Sequence, residues 1–286
     1  MKRRVIIFLS FVLIHSIYDA AFSQITHPRI SPQTTLTQQI GLSEVNLVYS
    51  RPGARGRKVM GELVPYGRIW RVGANESTKI KFSDSVKIEG RWIPSGTYAL
   101  YAIPYETEWT IILHKNLSHW GDGRTNYKPE EDALRCKVKS ESRKELTETF
   151  TIEWENLTHK GGDLILRWEY TLVRIKVEFN TDKKMMQEIE TKIKENPTGL
   201  TYYEAARYLQ EEEKEPASAK LWLQQAHTLL GDTYYIHRVW ALVEAQLGNY
   251  KDAIAHADVS KKLAAGEGKD EFVRLNERSI AAWSKR

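Results

Sequence analysis

The segment LILRWEYTLVRIKVEFNTDKKMMQEIETKI, residues 164–193, contains a change in the spacing of its apolar side chains. Before Asn180 the apolar residues alternate with other residues, which places them on one face of a β-strand. After Asn180 they recur every three or four residues, which is the spacing of one face of an α-helix. The change predicts a β-rich domain over residues 24–179 and a helical domain over residues 180–286.

The strand part of this segment also changes the parity of its apolar positions. These positions are even-numbered through Tyr170 and odd-numbered from Val173 to Phe179. A shift of one residue would turn the second set to the wrong face of the sheet. We therefore expect a β-bulge or tight turn near Thr171 and Leu172.

Alternating apolar residues recur upstream, over residues 45–49, 98–102, 109–113 and 150–154. About nine to eleven short strands, with no long helix among them, predict an all-β domain built as a sandwich or a barrel, and we favour the sandwich. The sequence Ser-Asp-Ser at residues 83–85 predicts a hairpin between the strands on either side of it.

The helical half contains an internal repeat. An offset of 34 residues aligns Ala219 with Ala253. The second copy has Gly248 after its first helix and resembles the tetratricopeptide repeat, a helix-turn-helix unit of this length that holds partner peptides or proteins in a concave groove. The first copy departs from the pattern, because Lys214 replaces the glycine and Pro216 opens the second helix. We expect an all-α, tetratricopeptide-like domain of roughly six helices, and an unrelated helical bundle is the alternative.

A linked series of motifs marks the N-terminal half. It includes GELVPYG at residues 61–67, GANE at 73–76, PSGTYAL at 94–100 and EWTII at 108–112. Together these motifs resemble an exported bacterial family known as domain of unknown function 2911. The resemblance covers residues 25–179, and it implies no activity, cofactor or catalytic residue.

The N-terminus has the pattern of an export signal. Basic residues precede an apolar stretch over residues 5–17, and Ala-Phe-Ser at 21–23 predicts cleavage before Gln24. The apolar stretch reaches only about 20 Å as a helix, against a hydrocarbon core of roughly 30 Å. We expect a signal peptide at residues 1–23 and an exported, periplasmic or extracellular protein that does not span the membrane.

Net charge and cysteine content limit the kinds of partner and covalent cross-link that we expect. The net charge of +5 is too small to indicate nucleic-acid binding. The single cysteine, Cys136, cannot form an internal disulfide, and its position in an alternating stretch predicts a buried strand thiol.

Residues 51–76 concentrate arginine and glycine. Guanidinium groups pair with carboxylates and phosphates, and glycine lets a backbone approach a ligand closely. The pattern suggests a loop that binds an anionic ligand or a carbohydrate; alternatively, these arginines are solvated or hold the loop to the sheet. The candidate ligand-binding residues are Arg51, Arg55, Arg57, Trp70, Arg71, Asn75, Glu76 and Trp120.

Tryptophan can bind sugars by stacking when its ring is exposed. Three tryptophans follow the apolar parity of their strands and are expected in the core: Trp109, Trp154 and Trp168. Three others lie beside loops, where they are either stacking candidates or ordinary packing residues: Trp70, Trp92 and Trp120.

No metal site and no cofactor are predicted. His114 and His119 lie near Asp122, but the sequence offers no further ligand at a diagnostic spacing. The acidic residues 130–132 are interpreted as a solvated turn.

These patterns favour an exported, non-catalytic binding or scaffolding protein. Its β domain would hold a small polar ligand or an envelope component, and its helical repeats a protein partner. Signature motifs of nucleophilic hydrolases are absent from the sequence. One alternative is an envelope hydrolase with its site in the loop 51–76, around Arg51, Arg71, Asn75 and Glu76. Another is a purely structural envelope protein.

Overall fold

A computed structural model describes residues 27–119 and 126–286. The chain divides into two compact units, with the boundary between Asn180 and Thr181. The predicted signal peptide lies outside the described residues.

The described residues of the first unit, called the β unit below, form an antiparallel sheet of nine strands in the order β1-β2-β3-β6-β7-β8-β9-β4-β5. The strands are β1 (Gln33–Ile40), β2 (Ser43–Ser50), β3 (Thr78–Phe82), β4 (Val86–Ile88), β5 (Arg91–Ile93), β6 (Gly96–Pro104), β7 (Glu108–His114), β8 (Asp132–Thr158) and β9 (Gly161–Phe179). One turn of 3-10 helix, Pro129–Glu131, leads into β8.

The sheet packs against itself around its main apolar core. The hydroxyl of Tyr49 on β2 accepts a hydrogen bond of 2.9 Å from the backbone nitrogen of Ile152 on β8, although these strands are not neighbours in the sheet. Phe82 on β3 similarly lies 6.5 Å from Phe179 on β9, measured between ring centroids. These contacts give the unit the sandwich-like character expected of it. Cys136 is buried, and this burial raises the pKa of its thiol to about 12.

Two expectations about the strands were wrong. The predicted hairpin at residues 83–85 is absent, because β3 pairs with β2 and β6 whereas β4 pairs with β5 and β9. The strands are also not all short. Strand β8 is 27 residues long and contains two alternating segments, around Cys136 and over residues 150–154, that were expected to be separate strands. Local alternation does not specify which partner a strand finds.

The predicted change of parity in β9 is present at Glu169, slightly earlier than expected. Glu169 has a left-handed backbone with φ of 53°, and Tyr170 after it is 47% exposed instead of lying in the core. The bulge directs the Glu169 carboxylate to the backbone N–H groups of Val59 and Met60, each at 3.2 Å. An irregularity in one strand thereby anchors the loop between β2 and β3.

The second unit, called the helical unit below, contains six helices. They are α1 (Thr181–Glu195), α2 (Gly199–Glu211), α3 (Pro216–Leu230), α4 (Tyr234–Gln246), α5 (Tyr250–Gly266) and α6 (Asp270–Trp283). None of the helices in the described ranges combines the length and apolar character needed to cross a bilayer.

Turn chemistry and small residues shape the helical unit. Gly248 has φ of 80° between α4 and α5, the left-handed conformation that glycine adopts without strain. At the corresponding turn between α2 and α3, Glu213 and Glu215 take left-handed conformations instead. Ala219 and Ala253 are fully buried, so their helices can pack closely.

Candidate functional site

The loop between β2 and β3 lines a cavity of about 550 Å³ in the β unit. Four arginines lie in its lining, namely Arg55, Arg57, Arg68 and Arg71. The described lining residues include no aspartate or glutamate. The cavity therefore presents positive charge without a lining carboxylate to neutralise it.

Arg51 fastens this loop to β8 and does not line the cavity. Its Nε donates to the carbonyl of Phe150 at 3.1 Å, and its Nη2 donates to the hydroxyl of Thr151 at 2.8 Å. The backbone nitrogen of Ala54 also donates to the carbonyl of Glu148, at 2.7 Å. This arrangement corresponds to the alternative in which the arginine holds the loop to the sheet.

Arg55 and Arg57 lie in the cavity lining and are partly engaged by the protein. Arg57 donates from Nε to the carbonyl of Ala54 and from Nη2 to that of Gly53, both at 2.9 Å. Arg55 donates from Nη2 to the carbonyl of Ile30 at 3.2 Å. A guanidinium has five N–H groups, so both side chains keep donors for a ligand.

Arg68 and Arg71 have the least engaged guanidinium groups of the lining. The Nε of Arg71 is buried and has no hydrogen-bond partner. Arg68 is exposed at the cavity and has no hydrogen bond or ion pair with a described residue. A buried donor without a partner costs about 1–3 kcal/mol, more when charged, and a bound anion would remove that cost.

The backbone beside Arg71 is strained. Val72 has φ of 52°, a conformation rare for a β-branched residue, and it is fully buried. The hydroxyl of Thr78 donates a hydrogen bond of 2.5 Å to the carbonyl of Val72. A Cβ on the next residue, Gly73, would lie 2.8 Å from the carbonyl oxygen of Ser50, so this position requires glycine. Strain of this kind is concentrated at binding and catalytic sites in proteins.

Trp70 forms part of the cavity wall but belongs to the core. It is 8% exposed, and its indole nitrogen donates to the carbonyl of Gly73 at 3.2 Å. Its ring stacks on Trp168 with centroids 5.9 Å apart and meets Trp109 edge to face at 5.8 Å. Trp70 is thus not the exposed stacking platform that was one of its two interpretations.

The remaining candidates do not join the cavity. The side-chain nitrogen of Asn75 donates to the hydroxyl of Ser50 at 3.1 Å, and Glu76 forms an ion pair with Arg29 at 3.1 Å. A backbone hydrogen bond, together with the Arg29 guanidinium, lowers the pKa of Glu76. Trp120 lies outside the described residues.

Arg68 is the arginine of the described cavity lining that was not among the predicted ligand-binding residues. The signal for it was present, because it belongs to the same concentration of arginines in the loop. Which arginines hold the loop and which remain available depends on β8 and the segment around Ile30, and the loop sequence carries no information about either.

A family model described as "Protein of unknown function (DUF2911)" matches residues 31–177, slightly more than half of the chain. The match includes almost all residues of the cavity lining. No curated protein and no solved structure matches the chain.

Proposed function

This chain belongs to the DUF2911 family, whose function is unknown, and we propose that it is a non-catalytic binding protein that holds a small anionic ligand in the arginine-lined cavity of its β unit. The observation that carries the proposal is the buried, unpartnered Nε of Arg71 beside the unengaged Arg68. Cavities of 300–1,000 Å³ typically hold small-molecule ligands, and this one has a volume of about 550 Å³.

The ligand's anionic group is a carboxylate or a phosphate, because these groups accept parallel hydrogen bonds from a guanidinium. Arg68 and Arg71 supply the strongest contacts, and the free N–H groups of Arg55 and Arg57 supply further ones. An acidic sugar or a sugar phosphate carries such a group, and its hydroxyl oxygens can accept hydrogen bonds from the remaining guanidinium N–H groups.

The proposal includes export and a partner for the helical unit. Export rests on the sequence pattern of residues 1–23. A tetratricopeptide-like module is supported by the start of α3 at Pro216 and of α5 at Tyr250, 34 residues apart. Tyr250 and Trp283 line a groove of about 420 Å³ in this unit, which suits a peptide segment of a partner protein.

Binding is favoured over hydrolysis by the position of Glu76. A hydrolase needs a general acid or base within reach of its substrate, and Glu76 was the candidate for that role. Its carboxylate is paired with Arg29 and lies outside the cavity lining. A purely structural protein would have no use for the unpartnered guanidinium groups.

Isothermal titration calorimetry of the purified protein tests the proposal. The probes are inorganic phosphate, glucose 6-phosphate and glucuronate, with glucose as the neutral control. We expect at least one anion to bind and glucose not to bind, with an affinity that falls as salt is added. Arg68→Gln and Arg71→Gln should each lower the affinity by about 10-fold or more.

Arg143→Gln is the matched control, because it removes the same charge from a residue of β8 that pairs with Glu145 outside the cavity. It should leave the affinity unchanged. An equal loss in Arg143→Gln and Arg71→Gln would indicate general charge attraction and contradict a specific site. Failure of all three anions to bind would also contradict the proposal.

A further inference from the structure

Two histidines and a glutamate converge at the end of β7. His114 is the last residue of that strand, His119 lies in the connection that follows, and Glu131 ends the 3-10 helix before β8. One ligand atom from each residue lies within 4.8 Å of the other two. His114 is 0% exposed and His119 is 6% exposed, whereas the side chain of Glu131 is 32% exposed. Both rings are therefore built into the protein interior, and the carboxylate lies at its edge.

The converging atoms have no hydrogen-bond partners. These atoms are Nε2 of His114, Nδ1 of His119 and Oε2 of Glu131, and all three are buried. The first and the last are 3.4 Å apart but are not aligned for a hydrogen bond. Buried polar atoms are nearly always satisfied in native proteins, so three unsatisfied atoms facing one another require an explanation.

The other side of the His114 ring is firmly held. Its Nδ1 lies 2.8 Å from Oδ1 of Asp132. The same oxygen accepts a hydrogen bond of 2.7 Å from the Tyr127 hydroxyl, and the other carboxylate oxygen, Oδ2, accepts one of 2.5 Å from Nε of Arg135. A carboxylate at Nδ1 keeps the proton on that nitrogen, so the lone pair of Nε2 faces Glu131. Carboxylates orient metal-binding histidines in this manner.

We propose that His114, His119 and Glu131 bind a divalent transition-metal ion such as Zn²⁺. Two imidazole nitrogens and one carboxylate suit zinc and other first-row transition metals, whereas calcium and magnesium prefer oxygen ligands.

This inference reverses the expectation of no metal site and the interpretation of residues 130–132 as a solvated turn. The third ligand is twelve positions after His119 and is brought to the histidines by the 3-10 helix, so the three residues do not form a short contiguous motif. The site is separate from the arginine-lined cavity, and its test does not depend on anion binding.

A second group of two histidines and one carboxylate provides an internal control. His227, Asp232 and His237 in the helical unit also have ligand atoms within 4.8 Å of one another. There, however, the Nε2 atoms of His227 and His237 lie 2.8 and 2.9 Å from Oδ1 of Asp232, and Nδ1 of His237 lies 2.9 Å from Nδ1 of His256. Since these atoms already have partners, we expect no metal to bind there.

Titration of the chelator-treated full chain with Zn²⁺ tests the site, with calorimetry for affinity and the visible spectrum of a Co²⁺ complex for geometry. We expect one ion per chain, bands typical of Co²⁺ with nitrogen ligands, and a melting temperature about 5–10 °C higher at an ion concentration a hundred times Kd. Absence of stoichiometric binding would overturn the proposal.

Variants then assign the ligands. Glu131→Gln, which keeps the side-chain shape, and His119→Ala should each weaken binding by about 100-fold or more, since each removes a ligand. His227→Ala should bind as the unmodified protein does. Circular dichroism of the metal-free variants checks that each is folded, and Glu131→Gln decides the question if His119→Ala is not. Loss of binding in His227→Ala, or its retention in Glu131→Gln, would refute the assignment.

Discussion

The two units treat their buried polar side chains in opposite ways. In the helical unit, all of which the structure describes, no buried side-chain nitrogen or oxygen lacks a hydrogen-bond partner. In the β unit, unpartnered buried atoms occur at the arginine-lined cavity and at the histidine group, on Arg71, His114, His119 and Glu131, and also away from both, on Glu153, Trp154 and Arg167. The polar groups of the helical unit are thus satisfied within the protein, whereas those that converge at the cavity and at the histidine group keep buried atoms available to a ligand.

The two groups of histidines and a carboxylate differ in the same way as the two units. Both contain two histidines and a carboxylate at similar distances, so residue type and proximity do not separate them. They differ in whether the ring nitrogens are already bonded within the protein. We therefore expect the hydrogen-bonding state of the donor atoms to decide which of the two groups binds a metal.

The largest change in free energy is expected from Asn276→Ala, which breaks a buried polar network of the helical unit. Asn276 is fully buried, donates to the Ser260 hydroxyl at 2.8 Å, and accepts from Nη1 of Arg238 at 3.1 Å. Removing it takes one buried hydrogen bond from each partner, although Ser260 still donates to Tyr234 and Arg238 to Ser279. The free energy of unfolding should therefore fall by about 3 kcal/mol in urea denaturation. Ser279→Ala, which removes one acceptor of Arg238, should cost clearly less. Equal effects would show that the network is not centred on Asn276.

A somewhat smaller effect is expected from Asp132→Asn, which tests the support of the proposed metal ligands. The amide no longer holds the proton on Nδ1 of His114 as the carboxylate does. We expect Zn²⁺ affinity to fall by roughly 10- to 100-fold, measured by calorimetry. The exposed neighbour Glu130→Gln is the control and should leave the affinity unchanged. If both variants bind equally well, Asp132 does not orient the site.

Acid should weaken the helical unit through His256. Burial, and then the neighbouring His237, lower the pKa of His256 to about 4, whereas an unfolded histidine titrates near 6.5. Between these pH values the unfolded state binds more protons, so stability is lost as pH falls through this window. The free energy of unfolding should drop by on the order of 1–2 kcal/mol between pH 7 and pH 5.

The substitution His256→Gln should remove much of this pH dependence, because it removes the titrating ring. His27→Gln, at an exposed histidine of the β unit, should retain it. Urea denaturation at a series of pH values, followed by helical circular dichroism, makes the comparison. A dependence that persists in His256→Gln would assign it to other groups.

The smallest change in free energy is expected from Arg71→Met, and it is a gain in stability where the preceding changes are losses. This change removes a buried donor without a partner, so without ligand the β unit should become more stable by about 1 kcal/mol. Arg51→Met is the matched control and should destabilise, because Arg51 donates to Phe150 and Thr151. Thermal denaturation measures both. Destabilisation of similar size in the two variants would mean that Arg71 has a structural role.

Local patterns were most informative where the determining interactions are local. The loss of parity in β9 predicted an irregularity that is present at Glu169, and the alternation around Cys136 predicted its burial. The expected hairpin at residues 83–85 failed because β4 pairs with β9, more than 80 residues further along the chain. Alternation reports which face of a strand is buried, but pairing is selected by competition among all available strands.

For the cavity, the sequence indicated which loop lines it, but not which arginines of that loop keep donors available to a ligand. Arg51 and Arg71 look equivalent in the sequence, but one donates to β8 and the other keeps a buried donor without a partner. Trp70 lies beside a loop and is still buried, because Trp109 and Trp168 surround it. These distinctions arise from residues far away in the chain.

The sequence by itself determined the two classes of structure, since side-chain period follows directly from backbone geometry and changes near Asn180. It also determined that the loop after β2 is rich in arginine and glycine. Only the tertiary structure decided which arginines remain without partners and that Glu131 meets His114 and His119. Satisfaction of a polar atom depends on the position of every neighbouring donor and acceptor, and strand pairing brings those neighbours together from distant parts of the chain.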